Sequence, residues 1–185
     1  MNILGIIASQ AGAAAVANDF ESIATTTVGA GGSSTITFSS IPSTYQHLQI
    51  RYMAANKAAP GDDPMYLRLN SDSTNANYRN HRLGGSGSGT ISDTYQLPIS
   101  SSLNGNGDSA SNYAGGVIEI LDYANVNKYT TIRSLSGWDG NGSGYIWMMS
   151  ELWMNTAAIT QIDLTMFSGG TYRQYSHFAL YGIKG

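Results

Sequence analysis

The stretch FESIATTTVGAGGSSTITFSSIPSTYQHLQIRYMA, Phe20 to Ala54, decides the fold. Within it Ile23, Thr25 and Thr27 alternate with Ala24, Thr26 and Val28, the period of two that marks a half-buried strand. Gly29-Ala30-Gly31-Gly32 supplies residues free to take positive φ in a tight connection. Ile36 and Phe38 restart the alternation, and Pro42 stops it by withholding a ladder donor. After a turn at Ser43-Thr44, Leu48, Ile50 and Tyr52 face one way, and His47, Gln49, Arg51 and Met53 the other. Three antiparallel strands with one apolar face cannot stand alone in water, so the pattern predicts a second sheet packed over them.

The same alternation recurs along the chain. Met65, Leu67 and Leu69 line one face of a short strand after a polar loop from Asn56 to Pro64. Asn70–Arg82 is polar and turn-rich, and Gly84–Gly89 reads as a flexible tip. From there to Tyr113 the anchors are few (Ile91, Tyr95, Leu97, Ile99), which predicts a long irregular excursion and one edge strand blunted by Pro98. Val117–Leu121, broken only by Glu119, reads as a central strand, and Tyr129–Leu135 as the next. Asp139-Gly140-Asn141-Gly142 is a hairpin signal leading into Tyr145–Met154. Asn155–Thr160 could form one helical turn, and two further strands follow: Ile162, Leu164 and Met166 alternate in one, and His177–Ile183 is the last. No helical stripe reaches ten residues, and about eight strands are expected. The expectation is an all-β, antiparallel β-sandwich, jelly-roll-like, over residues 19–185, preceded by an N-terminal arm at residues 1–18.

Charge narrows the partners. Only 11% of the 185 residues are charged, and the net charge is −3. A basic field that would attract nucleic acid or anionic lipid is therefore missing, so neither nucleic acid nor membrane is expected as a partner. The lack of cysteine excludes thiolate nucleophiles, disulfides and cysteine zinc sites. Such a hydroxyl- and amide-rich surface suits a protein held in a larger assembly or exposed outside a cell.

The arm itself is apolar. Ile3 to Ala17 has small side chains and no charge, and Ala15-Val16-Ala17 resembles a signal-peptidase site. Against cleavage, no Lys or Arg precedes the run, and Gln10 and Gly12 interrupt it. It is also shorter than the roughly 20 residues that span a bilayer. The reading is an extended assembly arm whose Leu4, Ile6, Ile7 and Val16 require cover.

Site chemistry is sparse. His47, His81 and His177 are isolated, with no i, i+4 pairing for a metal, and there is no nucleophile elbow or phosphate loop. Glu119, Asp122, Glu151 and Asp163 are the strand-borne acids that a glycosidase pair would draw on. Asp62-Asp63, Asn70/Asp72/Asn75 and Asp139/Asn141 offer oxygen donors to calcium, but turn geometry explains Asx residues in such loops equally. No catalytic residue, metal or cofactor is expected. Aromatic rings are the remaining signal, with 12 Tyr and 3 Trp. Trp138, Asp139, Asn141 and Tyr145 gather at one hairpin, as rings and polar groups do where sugars stack; the plainer reading makes Trp147 and Trp153 core, with Trp138 capping it.

Three segments carry a resemblance: Phe20–Arg51, DYAN at Asp122–Asn125, and the ending FALYGIKG at Phe178–Gly185, together with the opening LGIIAS. In these the chain resembles a group of uncharacterised tailed-bacteriophage proteins, over nearly its whole length. The resemblance implies a virion structural protein, tail-associated or decorating the head, with no catalytic residues to carry over. The expectation is thus a non-enzymatic protein, assembled in the host cytoplasm and exposed on the particle surface. It would be a homo-oligomer in contact with other virion proteins. As a tail-fibre or adhesin-like module it would use carbohydrate binding to meet a host glycan. The alternative is a capsid decoration protein whose arm clamps its neighbours, and the third reading is a glycan-degrading enzyme.

Overall fold

The computed structural model describes residues 19–57, 61–105 and 111–185, and they form an all-β antiparallel sandwich. In chain order the strands are β1 (Phe20–Thr27), β2 (Thr35–Phe38), β3 (His47–Ala54), β4 (Gly61–Leu69), β5 (Tyr78–Gly85) and β6 (Thr90–Tyr95). They continue as β7 (Ile99–Gly105), β8 (Ala114–Leu121), β9 (Thr130–Asp139), β10 (Gly144–Trp153), β11 (Ile162–Met166) and β12 (His177–Ile183). Eight of them form one sheet in the order β1-β12-β3-β8-β9-β10-β5-β6, and four form the other, β2-β11-β4-β7. The arm residues Leu4, Ile6, Ile7 and Val16 lie outside the described residues.

Alternation places the core where the sequence implies. Leu48, Ile50, Ile118, Ile120, Phe178 and Leu180 from the large sheet meet Ile162 and Leu164 from the small one, all fully buried. A second cluster, under the β10-β5-β6 extension, joins Trp147 and Met149 to Tyr66 and Ile99. Trp147 and Trp153 are both core residues.

The opening stretch departs from expectation in one respect. β1 and β3 share the large sheet, each beside β12, but β2 lies in the small one, paired with β11. The segment Val28–Ser34 is thus a crossing between sheets and not a hairpin turn. Its path is set by Val28 bonding the Tyr175–Ser176 backbone and by the Ser33–Tyr172 bridge. Alternation shows that Ile36 and Phe38 face inward but not from which side, because both sheets present an apolar face to one core.

Other corrections share one cause. Twelve strands stand among the described residues where about eight were expected. The Asn70–Arg82 loop contains a 3-10 turn at Asn75–Asn77 and the start of β5, and Gly84-Gly85 closes that strand instead of serving as a tip. The irregular excursion holds β6 and β7, on either side of Pro98 and each an edge strand of its own sheet. β5 is polar because its backbone is satisfied by β10 and β6, and its inward side chains find polar partners: Asn80 donates to the Ile99 carbonyl at 2.6 Å, and Arg82 pairs with Asp93 at 2.9 Å. Asn155–Thr160 makes no helical turn. Asn155 caps the Ala157 N–H at 2.9 Å, and Ile159 bonds the Tyr123 carbonyl, so the segment is spent on local and tertiary bonds.

Candidate functional site

The β9–β10 hairpin forms as its dipeptide requires. Asn141 and Gly142 both take positive φ, 60° and 103°, the pair of left-handed residues that a two-residue hairpin turn needs. Asp139 accepts the Asn141 N–H at 2.8 Å and braces the turn. Cross-strand pairing of Trp138 with Tyr145 brings their rings to 5.8 Å, and Tyr145 stacks on Trp147 at 5.5 Å. Trp138 and Tyr145 are half-buried and directed at the sandwich interior, while Asp139 and Asn141 are exposed. The four residues are therefore together, with the polar pair free and the rings shared with the core. Arg82 continues the row, 3.9 Å above the Trp147 ring. By strand register this hairpin and Phe20, where β1 begins, lie at opposite ends of the sandwich.

Outward from the same strands lies a surface that single-strand reading passed over. Register lays the outer face of the large sheet out in rows across the strands. One row runs Gln49, Glu119, Arg133, Ser150, His81. The next runs Arg51, Val117, Leu135, Met148, Leu83, and the third Met53, Gly115, Gly137, Ile146, Gly85. Among the described residues nine large apolar side chains stand exposed, and five are here: Met53, Leu83, Leu135, Ile146 and Met148. A groove of about 810 Å³ follows the first two rows, and one of about 900 Å³ lies over the glycines towards the hairpin. The signal was present in β10, whose two faces are both apolar.

The acids do not converge. Glu119 faces outward and accepts from Gln49 at 3.4 Å. Asp122, at the far end of β8, is held below the usual carboxylate range by Lys128, which donates to it. Asp163 takes Thr37 and Gln161 on the outside of the small sheet. Glu151 alone points into the interior, 4% exposed, with Ser100 donating at 2.8 Å. Burial pushes its carboxyl up to about 8 against the partial offset of that hydroxyl. Its cross-strand neighbour is Asn80, and the free oxygens of both, Glu151 Oε1 and Asn80 Oδ1, are buried acceptors with no donor among the described residues. Burial of this kind favours the neutral, protonated carboxyl.

The loop oxygens are occupied by the fold. Asp72 accepts from Thr74, Asn77 and Trp153 Nε1, and despite partial burial these bonds hold its carboxyl below the ordinary value. Asn70 Oδ1 takes the Thr160 and Gln161 N–H groups, and Asp63 takes Asn56 and Ser168. Asn75 is exposed in its turn. No three His, Asp or Glu among the described residues gather as metal ligands. The histidines are separate: His47 accepts the Asp122 N–H, His177 bonds Thr27, and His81 stands in the outer row.

Compared with known proteins, the chain matches no family model, no curated protein and no solved structure.

Proposed function

We propose that the chain is a non-enzymatic structural protein of a tailed-bacteriophage virion, built on a jelly roll and exposed on the particle as a tail-fibre or adhesin-like module. The observation that carries the reading is strand order. With the β5-β6 and β9-β10 hairpins set aside, the sheets are β1-β12-β3-β8 and β2-β11-β4-β7. That is the interleaving two Greek keys produce, the roll used in viral shells and in sugar-binding domains. The warrant is an analogy of fold joined to the sequence resemblance. The hairpin bearing Trp138, Asp139, Asn141 and Tyr145 supports the adhesin form, because it lies at the end away from Phe20 and leaves that end free to meet a host glycan. The exposed apolar outer face supports the second reading, a capsid decoration protein held by its neighbours.

Imaging of particles carrying a labelled copy separates the two. Label on the tail is expected, and label spread over the head shell overturns the adhesin form. A host polysaccharide should bind the purified protein weakly and lose binding on Trp138→Ala. Because Trp138 also packs on the core and Asp139 and Asn141 shape the turn, Trp138→Ala, Asp139→Ala and Asn141→Ala are compared only after each variant's denaturation midpoint shows it folded. Undiminished binding in all three removes the hairpin as the site.

A further inference from the structure

We infer that the outer face of the eight-stranded sheet is the contact surface for a second copy of this chain, related by a two-fold axis that runs along the strands between β8 and β9. The inference does not rest on the virion reading. Its basis is a symmetry in the register. The gap between β8 and β9 is the centre of the sheet, with four strands on either side. Rotation about an axis along the strands keeps every row in place and lays β8 of one copy over β9 of the other, and β3 over β10.

Each row then meets a row it fits. Glu119 and Arg133 are register partners on β8 and β9, so each faces the opposite charge on the other copy, twice over. Arg133 is exposed and its side chain makes no hydrogen bond or ion pair among the described residues, which leaves it free for that role. In the next row Val117 covers Leu135. In the third, Met53 covers Ile146, both more than half exposed in the single chain. Gly115 lies opposite Gly137 there, where two bare backbones permit close approach. The projecting Leu135 of each copy meets Val117 at the wall of the groove of about 810 Å³ on the other, and Met148 lies over the stem of Arg51. An interface of one residue set with itself is the ordinary geometry of homodimers.

The area is sufficient. Eight strands at about 4.8 Å and six residues at about 3.3 Å give about 38 Å by 20 Å, or roughly 750 Å² per copy. Standard stable interfaces bury about 800 Å² per partner. Packed sheets of this kind sit about 30° apart, which the twist of each sheet supplies.

The test uses the full chain. Sedimentation should give twice the 19.6 kDa chain mass, falling to one chain on Leu135→Glu, whose side chain is on the solvent side of β9. Glu119→Arg and Arg133→Glu should each be monomeric alone and form a mixed dimer when combined, since an all-basic pair then faces an all-acidic one. The chain has no cysteine, so copies carrying Val117→Cys and copies carrying Leu135→Cys can be mixed and oxidised. The mixture should cross-link and neither variant alone should. A wild-type monomer at all concentrations, a dimer indifferent to Leu135→Glu, or a mixture that fails to cross-link overturns the inference.

Discussion

Replacing Glu151 by Gln should abolish a large loss of stability between pH 5 and 9. The side chain is buried between the sheets, with Ser100 on one oxygen and the unpartnered Asn80 Oδ1 as neighbour to the other. Its folded pKa is about 8 against 4.5 for the free group. The native state therefore holds a proton that the unfolded chain has lost, and stability falls as pH rises through that interval. At about 1.4 kcal/mol per pH unit the total comes to about 5 kcal/mol. The contribution is fully present below pH 4.5 and gone above about 8. Gln keeps the shape and accepts from Ser100 without titrating. Urea unfolding at pH 5, 7 and 9 measures the effect. Wild type and Glu151→Gln should agree within about 1 kcal/mol at pH 5, and at pH 9 the variant should be more stable by about 3–5 kcal/mol. Other groups titrate in this interval, so the difference between the two proteins is what reads Glu151. Parallel pH profiles would refute the reasoning.

Ile120→Ala, at a site with no exposure in the middle of the core, should cost about 2–5 kcal/mol in the same assay through the cavity it leaves. Gly182→Ala should cost about 1–3 kcal/mol, because its new methyl would lie 2.3 Å from the Tyr45 ring, which is tethered at its hydroxyl by Glu21. An unchanged denaturation midpoint for either variant would mean that its surroundings yield more than the packing implies.

Legibility followed the range of the interactions involved. The hairpin at Asn141-Gly142 and the inward sets of β3, β8, β11 and β12 could be read directly, since turn chemistry and side-chain alternation act within a few residues. β5 could not. Its Arg79, Asn80, His81 and Arg82 look like loop residues until β10 and β6 lie on either side to take their backbone groups and Asp93 and Ile99 take their side chains. The aromatic hairpin was legible too, with Trp147 and Trp153 as core and Trp138 capping it, because side-chain alternation puts Tyr145, Trp147 and Trp153 on one face of β10.

By itself, the sequence determined an antiparallel β protein, the residues that fill its core and the exclusion of cysteine chemistry, because period, turn residues and composition are local or global sums. Tertiary structure alone decided which sheet β2 joins, that Glu151 is buried while Glu119 faces outward, and that Leu135, Met148, Leu83, Met53 and Ile146 share one exposed face. Alternation gives each residue one of two sides, but which side is covered depends on what the rest of the chain packs against it.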